Sequence, residues 1–420
     1  MSQIRIPLIL SFYTLIFLGL PKYGNFFQII SLSFILLQNV LTFISLKRAK
    51  INTFKNSLSP FSMLLIVLVP LLSLINNLFN PELYYVEYSI LFFVIIFSIY
   101  IAINTIDFQV IFKSFVCAGV AITATILVAS TNELSQALTM NIDPETGLSR
   151  FSPFGLHPNL VGHIFGGLAV TFFCCMLYGQ KILHKIFFAL LVGISYMFCI
   201  AASSRGGFIA SSLGVITIYA FAIWQDKTKR NYFFLFLVLA ILSLFLFQGI
   251  DKIIGYMSSI MEFNTADRGV NSGLTGRTGG WDKLITTMTS SISSLLFGNG
   301  LRSGGPEVLG YAIDNGYLNM FYESGLAVTA IFVMFMIYNV NKLRKSLLKV
   351  PSIIKAVALG LFVFILFESI VARYLLSIGN PTSLFVVFCI LGLKNIFRSV
   401  SGLQRMTQPD LYRFRPQSYR

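Results

Sequence analysis

SGLTGRTGGWDK (272–283) and LFGNGLRSGGPEVLGYAIDNGYLNMFYESG (296–325) overlap the longest interval of this chain without a membrane-length apolar run, residues 249–317. Its basic residues are Lys252, Arg268, Arg277, Lys283 and Arg302; its acids are Asp251, Glu262, Asp267, Asp282, Glu307 and Asp314. Glycines stand close to the arginines, so backbone can approach a bound group and positive φ is allowed. Long loops in compact proteins tend to carry function. This interval is therefore read as a working loop set between two membrane spans.

The rest of the composition agrees. Of 420 residues, 56% are hydrophobic and 11% charged, whereas a soluble chain carries about 25% charged residues. The chain is expected to be an all-α integral membrane protein. The apolar run at 6–20 leads into PKYGN with no small-residue cleavage site, so it reads as the first span and not as a removed leader. The net charge of +15 reports orientation before it reports nucleic acid, and no nucleic-acid partner is expected. Cys117, Cys174, Cys175, Cys199 and Cys389 lie in apolar runs without metal-ligand spacing, so neither disulfides nor a metal is expected.

A helix needs roughly 20 apolar residues to cross a bilayer. That length gives about twelve spans: 6–21, 26–46, 60–79, 87–106, 108–128, 158–178, 186–203, 206–224, 231–249, 317–338, 353–371 and 379–396. Four sections follow: helices 1–5 in 1–128, a core of helices 6–10 in 129–338, helices 11–12 in 339–396, and a basic tail, 397–420, that reads as touching lipid headgroups. Alternation puts most of the 31 Lys and Arg on one side, including Lys47, Arg48, Lys181, Lys227, Arg344 and the tail. That side is expected to be cytoplasmic. The loop 250–316 between spans 9 and 10 is then extracytoplasmic. Within it, 251–263 and 281–296 have helix-compatible spacing.

Other polar groups fall on the same outer side. SRFSPFGLHPNLVGH places Arg150, His157 and Asn159 just before span six, where Pro158 suits a first helical turn. A helix N-terminus beside Arg and His can receive an anion or simply be capped. His163 reads as a packed core histidine and His184 as solvated. In IAASSRGGFIASS (200–212), Arg205 stands between two apolar runs with small neighbours, and an ionisable group at membrane depth is a candidate for function. Arginine dominates the outer set: Arg150, Arg205, Arg268, Arg277 and Arg302, joined by Asp314. Guanidinium forms paired hydrogen bonds to phosphate oxygens. With no P-loop and no acidic metal–nucleotide pair, this suggests a lipid-linked phosphate or pyrophosphate, whose leaving charge the arginines can stabilise.

The sequence SSRGG opening a span, a long outer loop with GRTGGW, then LFGNG, then DNGYLNMFYESG entering the next span, resembles the O-antigen ligase/polymerase superfamily. FGLHPNLVG fits the same pattern, and the resemblance covers about residues 145–330. It implies a GT-C-like glycosyltransferase of the bacterial inner membrane. Such an enzyme moves glycan from undecaprenyl pyrophosphate to a hydroxyl on the periplasmic face, without a nucleotide cofactor. A flippase and a chain-length regulator are its expected partners. Arg205 matches the family's SRG arginine and Arg277 its loop GR arginine, both on pyrophosphate. Asp314 stands where the ligases carry a histidine before Asn, and a carboxylate there could act as general base. Asn315, Tyr317, Arg150, His157, Asn159, Arg268 and Arg302 complete the expected substrate-binding set.

The Asp-for-His departure favours a repeat-unit polymerase over a ligase. A flippase without chemistry is the third reading, but charge collects in one loop and at span ends, not in a central cavity. The charge asymmetry predicts that a topology reporter fused at Gly305 reads periplasmic and one at Lys345 cytoplasmic. A cytoplasmic Gly305 would overturn both the span count and the site.

Overall fold

The computed structural model describes residues 6–20, 24–48, 60–79, 83–138, 142–143, 147–148, 150–223, 230, 273–304, 309–310 and 313–398. The expected span 231–249, the helix 251–263, Arg268 and most of the basic tail lie outside these residues. The described chain is helical apart from one antiparallel pairing of Ile142–Asp143 with Gly147–Leu148. Among the described residues, seven helices are long and apolar enough to cross a membrane: Phe26–Ser45, Val86–Thr105, Phe108–Ala129, Pro158–Tyr178, Ile182–Ala201, Arg205–Ala222 and Gly316–Lys349. Ile6–Gly19, Phe61–Ile75 and Pro381–Leu391 are shorter apolar helices. The protein is membrane-embedded. Phe26, Ile29, Leu36, Leu37, Val40, Phe43 and Ile44 are exposed along one helix, as a lipid-facing surface requires.

Pro158–Tyr178 is the central helix. Its apolar window is 94% buried, against 28% for Ile182–Ala201. It packs against Ile182–Ala201, the arginine helix Arg205–Ile218, the glutamate helix Ile353–Glu368, and Pro381–Leu391. Small residues along it let neighbours approach to backbone contact. A Cβ on Gly207 of the arginine helix would lie 2.5 Å from the Gly162 carbonyl oxygen, and one on Gly162 would lie 1.9 Å from Ser204 Oγ.

The hairpin between Ile182–Ala201 and the arginine helix explains SSRGG letter by letter. Ser204 N donates to Cys199 O (3.0 Å) and Ser203 N to Ile200 O (2.7 Å), the paired bonds of a Schellman C-terminus. Its left-handed position is taken by Ser203, at φ 49°. Ser204 follows, with its side chain over Gly162, and then Arg205 opens the next helix.

Gly316–Lys349 is two helices joined at a break, with Gly325 at φ 80° and ψ 171°. The break frees carbonyls, and the LFGNG segment fills it. Asn299 N donates to Tyr322 O (2.8 Å) and Gly300 N to Glu323 O (3.0 Å). A Cβ on Gly325 would meet Leu296 O at 2.2 Å. LFGNG and YESG are thus two halves of one joint. In the same region, SGLTGRTGGWDK is not an open glycine loop. Gly273–Thr289 is one helix, followed by Ile292–Phe297, so helix begins well before the expected 281. Its Leu284 and Met288 cluster with Ile313 and Tyr322, and that apolar docking overrides the weak helix propensity of its glycines.

Ser203→Gly should raise the unfolding temperature of the detergent-solubilised protein, because a non-glycine residue at left-handed φ costs about 1 kcal/mol. Gly207→Val should lower it sharply, by about 1–3 kcal/mol of overpacking or more. Equal melting of Gly207→Val and wild type would mean that the two helices are not in backbone contact.

Candidate active site

Alternation of the helices brings several ends to one face. The central helix, the arginine helix, the broken helix and Pro381–Leu391 all begin there, and Ile182–Ala201 and Ile353–Glu368 end there. The segment 369–380, between Ile353–Glu368 and Pro381–Leu391, is their common contact. A Cβ on Gly206 would meet Val371 Cγ2 at 2.5 Å, and one on Gly316 would meet Ser369, Ala372 and Leu375 at 3.0 Å. Gly316 N donates to Ser369 O (2.7 Å) and Asn315 Nδ2 to Ile370 O (3.0 Å). Arg205, next to Gly206, and Asp314, two residues before Gly316, therefore flank this loop.

Each expected residue has a defined place. Asn315 caps the broken helix: its Oδ1 accepts from Tyr317 N and Leu318 N, both at 3.0 Å. Asp314 could have held that role from sequence alone, since Asp is a good cap. With the cap assigned to Asn315, the partly buried Asp314 is released from it. Tyr317 donates its hydroxyl to Leu366 O, tying the broken helix to the glutamate helix. Arg150 donates from Nε to Ala202 O (3.1 Å), and its Nη2 lies 3.4 Å from Asn159 Oδ1. It thus clamps the incoming segment onto the SSRGG turn. His157 Nδ1 accepts from Asn159 N (3.2 Å) and caps the central helix.

Arg302 has φ 72°. Its N–H donates to Glu323 Oε1 (3.0 Å), and its guanidinium lies 5.1 Å from the Tyr88 ring centroid. Arg277 lies in the second turn of the Gly273–Thr289 helix. An open cleft of about 570 Å³ runs along that helix, lined by Asp282, Lys283, Thr286, Thr287 and Leu309.

The loop 369–380 adds residues that the sequence reading did not single out. Arg373 interacts with both Glu323 and the Tyr374 hydroxyl. Tyr374 in turn feels the charges of Glu368 and Asp314. Burial pushes the Tyr374 phenol well above its ordinary range, and the Arg373 charge only partly opposes this. At neutral pH Tyr374 is therefore a donor, not a base. Arg373 carried the same signal as Arg205, a single arginine between apolar runs in IVARYLLSIGN. Beneath the loop, His163 on the central helix pairs with Glu368, both fully buried. Among the described residues, no group of three or more His, Cys, Asp or Glu could hold a metal ion.

Arg205 and Asp314 thus flank one loop at the end of the bundle, and that loop carries Arg373. Two guanidinium groups can bind a phosphate-class anion, and the carboxylate can take a proton. No protein-family model matches the chain, and no curated protein matches it.

Asn315→Ala removes the cap and the tie to Ile370 O. It should lower stability by about 1 kcal/mol, whereas Asp314→Ala should leave stability within about 0.5 kcal/mol. Thermal unfolding in detergent checks the contrast. Equal losses would return the capping role to Asp314.

Proposed function

We propose that this chain is a membrane-embedded glycosyltransferase that joins undecaprenyl-pyrophosphate-linked oligosaccharide repeats into a polysaccharide. The observation that carries the reading is that Arg205 and Asp314 flank the loop 369–380, which itself carries Arg373. The resemblance of SSRGG, GRTGGW, LFGNG and DNGYLNMFYESG to the O-antigen ligase/polymerase superfamily supports it. The full architecture would be twelve spans of GT-C-like type in the inner membrane, with this end facing the periplasm.

In this mechanism Arg205 and Arg277 hold the donor pyrophosphate, and Arg373 adds positive charge beside them. The acceptor hydroxyl oxygen attacks the anomeric carbon of the donor glycan. The carbon–oxygen bond to pyrophosphate breaks, and undecaprenyl pyrophosphate leaves with the bonding electrons. Asp314 takes the hydroxyl proton, a step worth typically 10²–10⁴-fold in rate. Cations preplaced where charge develops lower the barrier. The Tyr374 hydroxyl is a donor beside the same carboxylate. The polar cleft of Asp282, Lys283, Thr286 and Thr287 suits a growing glycan.

Purified protein incubated with a synthetic lipid-linked repeat should give a product ladder. Asp314→Asn keeps the shape but cannot accept the proton, so it should abolish the ladder at normal protein level, while Asp314→His should retain part of it. Arg205→Lys and Arg277→Lys should each lose most activity, because Lys lacks the bidentate fork. Full-length product from Asp314→Asn would remove the base from the mechanism. Transfer to a lipid A-core acceptor without a ladder would indicate a ligase.

A further inference from the structure

His163 and Glu368 lie beneath the loop and take no part in the mechanism above. Both are buried, at 0% and 1% exposure. His163 Nδ1 meets Glu368 Oε2, and His163 Nε2 lies 2.7 Å from Ser383 Oγ. The neighbouring hydrogen bonds determine where the protons are. Ser383 N donates to Asn380 Oδ1 (2.8 Å), which fixes the amide, so Asn380 Nδ2 donates to Ser383 Oγ (3.0 Å). Ser383 Oγ also lies 3.1 Å from the Tyr374 carbonyl, which can only accept. The one Ser383 hydroxyl proton is therefore committed to Tyr374 O. His163 Nε2, facing the same oxygen, must donate.

With Nε2 protonated, one proton remains to be placed at the Nδ1–Oε2 contact. Without it, an imidazole lone pair would face an ionised carboxylate. With it, the pair is either imidazolium–carboxylate or imidazole–carboxylic acid, and neutral overall in both. A second observation points the same way. Glu368 Oε1 and Ser369 Oγ are buried with no hydrogen-bond partner among the described residues. A carboxylate carrying full charge with one oxygen so placed would be costly to bury.

We propose that His163 and Glu368 form a proton-bound dyad, a buried one-proton site that ties together the helices beneath the loop 369–380. The dyad joins three helices: His163 on the central helix, Glu368 at the end of the glutamate helix, and Ser383 in the first turn of Pro381–Leu391. On the other side of the imidazole, Nε2 donates to Ser383 Oγ, and Ser383 donates to the Tyr374 carbonyl. Glu368 immediately precedes Ser369, whose carbonyl anchors Gly316. The titratable groups facing the pair are Tyr374, with its ring 4.8 Å from the imidazole, and Cys199 from Ile182–Ala201. Arg373 and Asp314 act on Tyr374. His163 and Glu368 are positioning residues, and the proposal goes beyond the transferase reading and stands without it.

The chain has three histidines, so His157→Asn with His184→Gln leaves His163 alone. In the full-length protein carrying both changes, nitrogen-15 imidazole NMR should show Nε2 protonated. A strongly deshielded proton should sit on the Nδ1 side. Glu368→Gln should abolish that resonance while Nε2 stays protonated, because the amide can donate to Nδ1 in its place. Glu368→Ala leaves Nδ1 without a partner and should melt earlier than Glu368→Gln. An unprotonated Nε2, or a deshielded proton that survives in Glu368→Gln, would overturn the dyad. Neither readout requires the glycan substrate, so failure of the transferase reading would leave this test intact.

Discussion

The backbone contact between Gly162 of the central helix and Gly207 of the arginine helix is the constraint from which the rest follows. A side chain at either place would collide within 2.5 Å, so the two helices meet with nothing between them. This depth of approach brings Ser204 over Gly162 and sets Arg205 at the rim of the bundle. It leaves room for the glutamate helix to pack on the same side. Association of helices in lipid gains little from burying apolar surface, so close van der Waals packing through small residues carries much of it.

Against this rigid base the polar end is assembled by backbone groups more than by side chains. Two left-handed positions do most of the shaping, Ser203 in the hairpin and Gly325 in the broken helix. Each exposes carbonyls at a helix end, and each is satisfied by a segment arriving from elsewhere. Phe151 N and Arg150 Nε donate to the carbonyls of Ala201 and Ala202, while Asn299 and Gly300 fill the break. Unpaired backbone groups are costly away from water. The same bonds that remove that cost also bring Arg150 and the LFGNG segment to their places.

Charge is then layered by depth. Arg205 and Asp314 stand at the starts of their helices and Arg373 in the loop beside them, whereas His163 is in the second turn of the central helix. Removing one partner of a buried pair leaves an uncompensated group and is far more destructive than replacing both. The loop 369–380 touches the arginine helix through Val371, the broken helix through Ile370, and, through the Tyr374 carbonyl, Ser383, the neighbour of His163.

Sequence alone determined the class and most of the helices. Apolar runs of bilayer length in a chain with few charges point to membrane helices, and the expected spans 26–46, 87–106, 108–128, 158–178, 186–203 and 353–371 each fall on one helix. The other described ones are divided: 6–21 ends in a 3-10 turn, 60–79 holds a π turn at Leu64–Leu68, 206–224 ends in a π turn, 317–338 contains the break at Gly325, and 379–396 is Pro381–Leu391 followed by Leu393–Arg398. Sequence also singled out Arg205, because an isolated charge between apolar runs is visible without coordinates, and the family resemblance singled out Asp314. Tertiary structure decided the rest. Whether Asp314 or Asn315 caps the helix depends on which side chain reaches Tyr317 N, and two adjacent good caps are indistinguishable in a string. Helix at Gly273–Thr289 depends on docking of Leu284 and Met288 beside Ile313 and Tyr322, residues far along the chain. His163 read as a packed core residue because Glu368, its partner, is distant in sequence, and only the packing of three helices brings the two together.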